Sequence, residues 1–255
     1  MSYTTILFEA SDDGVATITL NRPEALNAFN FAMGLDFTDA WRRVRDDDAI
    51  RAVVLQANGK AFCSGRDIGD IAMIHAGTAP EKRHPVYRLA PKQNDVWKPV
   101  ICAVHGLAGG GGFYWITESD FVLCSDDALF FDPHVSYGLA APVEVMALSR
   151  LIPPGEVMRM QLMSLDERLS AQRAYEIGLV TEVVPAERLR ERAHELAAAI
   201  AAKPSPAVQA TVRAMWETRD LSRTEALARN EYYSALGTGA AVDRSTFARP
   251  KPAVR

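Results

Sequence analysis

The chain has 255 residues, enough to bury a sizeable core and short enough for one domain plus an appendage. Hydrophobic residues make up 48% and charged residues 24%, which excludes a disordered or fibrous chain. The formal net charge is −4 and no basic stripe runs along any segment, so nucleic acid is not an expected partner.

In chain order, Ile6–Phe8 and the alternating run Val15–Leu20 read as paired strands, and Asn21-Arg22-Pro23 breaks the second. Met33, Phe37, Ala40, Trp41 and Val44 then recur at steps of three and four and predict a helix with one apolar face. The short apolar runs starting at Ala52, Val100 and Phe121 suit strands buried on both faces. Separated by helical or glycine-rich segments, they predict an α/β core of repeated strand–helix units. Residues 68–92 are polar and irregular, with Gly77, Pro80, Pro85 and Pro91. A stretch of that length in a compact domain is usually functional or mobile. His75 and His84 fall there and read as surface residues.

After about Asp166 the strand signals fade. Leu189, Ala193, Leu196 and Ile200 form one helical face, and Val208, Val212 and Met215 another, with Pro204 and Pro206 between them. The expected division is a core over 1–190 and a helical region over 191–255 that makes oligomer contacts; the last residues, from Arg249, read as loose. Cys63, Cys102 and Cys124 are odd in number and form no CxxC pair, so neither a disulfide framework nor a metal site is expected. There is no secretory leader pattern and no apolar run approaching a membrane span, which predicts a cytoplasmic protein with no membrane partner.

Two segments carry chemistry. The first is the glycine run Gly109–Gly112, which follows a buried strand and opens a helical stretch. Glycines there let backbone N–H groups approach a ligand, although a tight strand–helix joint needs them equally. No Gly-Lys-Ser/Thr follows, and Tyr114 stands where a dinucleotide fingerprint needs its third glycine, so a nucleotide-phosphate enzyme is disfavoured. The second segment, Lys60–Ile68, also follows a buried strand and contains the small-residue turn Cys63-Ser-Gly65. Two backbone donors from neighbouring strand ends would make an oxyanion hole.

At this point a family resemblance becomes specific. Leu20-Asn-Arg-Pro-Glu-Ala-Leu-Asn-Ala28, Ala61-Phe-Cys-Ser-Gly-Arg-Asp-Ile68, Lys98-Pro-Val-Ile-Cys-Ala-Val-His-Gly106 with the glycines after it, and Ser170-Ala-Gln-Arg-Ala-Tyr-Glu-Ile-Gly-Leu-Val180 resemble, in order, motifs of the enoyl-CoA hydratase/isomerase (crotonase) superfamily. The segment around Phe247 to Pro252 resembles the family's C-terminal end. The resemblance implies a crotonase-like spiral of β-β-α units with a helical C-terminal region, assembled as a homotrimer or homohexamer. It implies an acyl-CoA thioester as ligand, coenzyme A being part of the substrate and no other cofactor being required. Carried over residue by residue, the oxyanion donors fall on the N–H groups of Arg66 and Gly111, and the CoA contacts on Ala25, Asp67, Ile68, Phe247 and Lys251. Glu24 replaces a basic residue that often lies beside the nucleotide.

The chain departs from the family where hydratases hold two glutamates. Tyr114 and His134 stand at those positions, and Pro142 stands where related dehalogenases hold an aspartate. The candidate acid/base groups are therefore His134, Tyr114 and Glu144, with Asp132 and Glu118 expected nearer the rim. Each also has a plain reading: His134 as a packing residue, Tyr114 as pocket wall, and Glu144 as a carboxylate favoured at a helix N-terminus. The expected function is an acyl-CoA lyase or isomerase that is a poor hydratase; the alternative is a non-catalytic acyl-CoA binding protein on the same scaffold.

Overall fold

The structure, a computed structural model, describes residues 3–70 and 88–238. Phe247, Lys251, His75 and His84 lie outside these residues. The chain divides into one compact unit over 1–202 and a second over 203–255.

Two sheets organise the first unit. Strands β1 (Ile6–Ala10) and β2 (Val15–Leu20) form a hairpin with Ile6 opposite Leu20. Strands β3 (Ala52–Ala57), β5 (Val100–Val104), β7 (Phe121–Ser125) and β10 (Glu182–Val184) extend it in parallel, giving the order β1-β2-β3-β5-β7-β10. Strands β4 (Ala61–Cys63), β6 (Leu107–Gly109), β8 (Leu129–Phe131) and β9 (Leu169–Ser170) form a smaller sheet in that order. Consecutive strands therefore alternate between sheets: β3 then β4, β5 then β6, β7 then β8. Helix α2 (Phe113–Glu118) follows β6, and α3 (Pro142–Leu148) and α4 (Pro154–Met163) follow β8. The result is a spiral of β-β-α turns closed by α5 (Ala171–Glu176) between β9 and β10.

The large sheet is covered on both faces, which is why its strands read as continuous apolar runs. Ile18, Val53, Leu55, Val100, Cys102 and Cys124 face the main core, while Val15, Ala52, Val54, Ile101 and Leu123 face a second cluster. That second cluster is sealed by helix α6 (Leu189–Ala201) through Leu189, Ala193, Ala197 and Ala201. Small residues at every fourth position let the helix lie close to the sheet. Because α6 shares this core, the first unit runs to Ala202, beyond the boundary at 190 read from the sequence. All three cysteines are free and buried.

Helix α1 (Phe31–Asp46) buries the five residues of the predicted face and is capped at both ends. The Asn30 side chain accepts from Met33 N at 3.0 Å. At the other end Lys98, only 3% exposed, donates its ammonium to Val44 O at 2.8 Å and Asp47 O at 2.7 Å. A cation on carbonyls at the negative end of the helix is a favourable pairing.

The second unit consists of α7 (Ser205–Glu217), α8 (Arg223–Ala228) and α9 (Asn230–Gly237). A capping box at Ser222 and Glu225 starts α8. Tyr233 donates its hydroxyl to Glu217 at 2.9 Å and joins α9 to α7. Among the described residues of this unit Ala210 and Tyr233 are buried, whereas Met215, on the helical face read from the sequence, is exposed. Among the described residues no helix is long and apolar enough to cross a membrane.

Lys98 sits in a motif that resembles the oxyanion segment, yet its contacts are those of a helix cap. Lys98→Met should lower stability by about 2–3 kcal/mol, the scale of lost hydrogen bonds to a charged group, and leave turnover per folded molecule unchanged. Thermal melts and activity measured on the same samples check this; a loss of activity without loss of stability would refute the structural role.

Candidate active site

Strands β4 and β6 lie side by side and parallel, with Cys63 opposite Ala108, so the loops that leave them emerge at the same edge. One loop carries Ser64 to Asp67; the other is the glycine run, which turns into α2. Phe29 holds the two together. Its N–H donates to Gly65 O at 2.9 Å and its carbonyl accepts from Asp67 N at 2.9 Å. This bridge flanks Arg66 and does not use the N–H of Arg66 itself. The Phe29 ring lies under Gly111: a Cβ added there would fall 2.3 Å from Phe29 Cε1. Gly110 adopts φ +50°, and a Cβ on it would stand 3.6 Å from Gly65 Cα and 3.6 Å from His134 Cε1. The glycine run is thus pressed between the first loop, an aromatic ring and an imidazole.

The first loop is tied in turn to the opening motif. Arg22 forms a 3.0 Å ion pair with Asp67, and buried Asn27 donates to Asn58 O and Ala61 O, both at 2.8 Å, while accepting from Arg22 N at 2.8 Å. Asn27 adopts φ +54°, a left-handed conformation that asparagine tolerates better than most residues.

These loops wall a cavity of about 480 Å³. Ala25, Arg66, Asp67, Ile68, Gly111 and His134 all line it, so the structure brings together the expected oxyanion donors, the described CoA-contact candidates and one acid/base candidate. Ala28, Phe131, Leu139 and Leu165 supply apolar wall. The Arg66 guanidinium lies 3.6 Å from Asp70, which is itself buried. Tyr114 is not in this wall; its ring packs beside Phe29 with centroids 5.8 Å apart, behind Gly111. Phe247 and Lys251 lie outside the described residues.

His134 has a partner that the sequence reading did not assign. Its Nδ1 is 2.7 Å from Asp132 Oδ1, and the same oxygen accepts His134 N at 2.9 Å. Asp132 was expected near the rim; its side chain is fully buried. The reason is local: an Asp two residues before a turn bonds the backbone N–H ahead of it, and that geometry draws the carboxylate inward. Glu144 was the third acid/base candidate, but it does not line the cavity. It is instead buried in the first turn of α3, with Oε1 unpartnered, and acts on His134 through its charge. Hydrogen bonding by Asp132, reinforced by the charges of Asp132 and Glu144, raises the His134 pKa above the ordinary imidazole value against the opposing effect of burial. Glu118, the other carboxylate expected at the rim, accepts from Lys92 N at 3.0 Å and Gln93 N at 3.3 Å and is not part of the cavity wall. The signal that could have found Asp132 is the Asp-Pro-His spacing itself. Among the described residues no cluster of His, Cys, Asp and Glu could hold a metal ion.

This architecture is a β-β-α spiral with a cavity walled by two backbone loops. A family model described as enoyl-CoA hydratase/isomerase matches residues 10–237, and the chain belongs to that family. It is 35% identical over 200 residues to 1,2-epoxyphenylacetyl-CoA isomerase of Escherichia coli, covering 76% of this chain and 75% of that protein. It is also 35% identical over 209 residues to (E)-benzylidenesuccinyl-CoA hydratase of Thauera aromatica, covering 81% and 80%. The crystal structure of an enoyl-CoA hydratase/isomerase from Mycobacterium paratuberculosis is similar at TM-score 0.83 and 39% identity, over 92% of this chain and 90% of that one. The neighbours share the crotonase fold.

The packing under Gly111 yields a test. Gly111→Ala should destabilise the protein by about 1–3 kcal/mol through overpacking, and Phe29→Leu in the same chain should recover part of that loss by opening space. A double-mutant cycle on melting free energies checks it. Strict additivity of the two changes would show that the ring and the glycine are not in contact.

Proposed function

We propose that the protein binds an acyl-CoA thioester with its carbonyl oxygen between the N–H groups of Arg66 and Gly111, and that His134 moves a proton at the acyl carbons beside the thioester. The observation that carries this reading is the imidazole edge set against Gly110, in a cavity walled by both loops. Two backbone donors stabilise the enolate or tetrahedral oxyanion as charge develops, and they need no reorganisation when it does. Asp67, Ile68 and Ala25 hold the CoA portion, with Phe247 and Lys251 contributing from the C-terminal end. Coenzyme A arrives with the substrate, and no further cofactor takes part.

His134 suits proton exchange near neutral pH better than a tyrosine does. The apolar wall of Phe131, Leu139 and Leu165 favours a hydrophobic acyl group, and two relatives act, by their names, on aryl-bearing CoA thioesters. The reaction is an isomerisation or lyase step rather than efficient hydration of a short enoyl-CoA, because neither hydratase glutamate position holds a carboxylate. The working assembly is a homotrimer or homohexamer, supported by Val143, Met146, Met158 and Leu162, which the single chain leaves exposed.

Incubation with short, long and aromatic acyl-CoAs, followed by mass spectrometry of the products, tests the reading. Saturable binding by calorimetry is expected, with slow or no hydration of crotonyl-CoA. His134→Ala should lower turnover on the true substrate by about 10²–10⁴-fold, the typical contribution of a positioned acid or base, with thioester binding retained. Glu144→Gln should lower it in part. Binding with no turnover on any thioester would favour the non-catalytic binding protein, and absence of binding across the panel would sink both.

A further inference from the structure

We propose that Asp132 is the positioning residue of this site: it fixes His134 as the Nδ1–H tautomer and presents Nε2, with its lone pair, as the proton acceptor. The proposal rests on the reading of His134 as the proton-transfer group and deepens it by assigning how that group is oriented and charged.

The geometry supplies the argument. An ionised carboxylate only accepts hydrogen bonds. Asp132 Oδ1 accepts from His134 N at 2.9 Å and stands 2.7 Å from Nδ1, so the ring nitrogen facing it carries the proton. Nε2 is then the basic nitrogen. The loop is held rigidly around this pair. The His134 carbonyl accepts from Tyr137 N and Leu139 N, both at 2.9 Å. Ser164 Oγ donates to Asp132 O at 2.8 Å and accepts from Ser136 N at 3.2 Å. With Asp132 fully buried and His134 24% exposed at the cavity, one end of the pair is dry and the other open to a ligand.

A second observation points the same way. Asp132 Oδ2 is buried with no hydrogen-bond partner among the described residues. A buried carboxylate left half-satisfied is costly, and such groups are tolerated where function needs them. Its charge is neutralised only when the imidazole is protonated, so it favours the imidazolium that forms as His134 takes a proton. Glu144 in α3 adds a second buried carboxylate with an unpartnered oxygen. The remaining charged groups around the ring are accounted for. Arg66 and Asp67 line the same cavity, Arg66 lying 3.6 Å from Asp70 and Asp67 being paired with Arg22. Arg168 also lines the cavity and is engaged by the carbonyls of Ser164, Leu165 and Glu167.

The sign follows from linkage. A raised folded-state pKa for His134 adds stability below the unfolded imidazole value, and that stability is lost as pH rises through the raised value. The free base that accepts the substrate proton therefore forms above that same raised value. Activity should rise with pH along a limb displaced upward from an ordinary imidazole.

The experiment uses full-length protein with ring-¹⁵N-labelled histidine, the His134 signals being assigned by their loss in His134→Ala. In the unmutated protein, Nδ1 should be protonated and Nε2 unprotonated at high pH, with a midpoint above that of a histidine peptide. Asp132→Asn keeps an acceptor but removes the charge. It should move both the NMR midpoint and the acidic limb of kcat to lower pH together, and lower plateau kcat by about tenfold or more with KM unchanged. Asp132→Ala removes the acceptor as well and should cost about 10²–10⁴-fold in kcat. An Nε2–H tautomer or an ordinary midpoint in the unmutated protein would overturn the proposal even if neither Asp132 variant folds. So would an Asp132→Asn protein of lowered melting temperature whose midpoint, pH limb and kcat are unchanged. Full turnover by His134→Ala would instead fail the underlying assignment of the base, and the NMR tautomer distinguishes the two failures.

Discussion

Phe29 is the interaction on which the site depends. Its backbone brackets Arg66 through bonds to Gly65 and Asp67, and its ring fills the space that any side chain at Gly111 would occupy. The same ring meets Trp115 edge-on at 6.0 Å, and Trp115 in turn packs on Phe37 and Phe62. One residue therefore couples the first loop, the glycine run and the aromatic core. The glycine at 111 is demanded by packing before any ligand arrives. Neither loop can shift without breaking a backbone bond or opening a void in a close-packed core.

The electrostatics of the site work against stability. Asp132 and Glu144 are buried, each with an oxygen lacking a hydrogen-bond partner, beside a single imidazole. Groups of this kind usually cost free energy in a fold. The surrounding spiral offsets them with a sheet covered on both faces and a helix α1 capped at both ends. An uncompensated pair of carboxylates is the arrangement that keeps a nearby histidine basic.

Arg66, Gly111 and His134 reach the cavity from neighbouring strands of the small sheet. Arg66 and Gly111 arrive from parallel neighbours in the small sheet, so their separation is set by strand pairing. His134 arrives from the loop after β8, the next strand of the same sheet, which pairs with β6 from Leu107–Leu129 to Gly109–Phe131. Arg66, Gly111 and His134 thus follow three successive strands of one sheet, and the β-β-α repeat is what brings them to one edge.

Much was legible in the sequence by itself. The apolar runs at Ala52, Val100 and Phe121 suited strands buried on both faces, which they are, and the helix from Phe31 showed its face residue by residue, because burial imposes a period that survives in the letters. The two small-residue loops, each following a buried strand, were equally plain. The tertiary structure decided the rest. The boundary moved to Ala202 because a row of small residues on α6 packs against a sheet whose strands are distant in sequence. Tyr114 went to the core beside Phe29, a contact across 85 positions that no local pattern encodes. The partner of His134 proved to be Asp132 rather than Glu144: a carboxylate two residues away closes onto the ring through the turn itself, whereas one ten residues away goes where its helix packs.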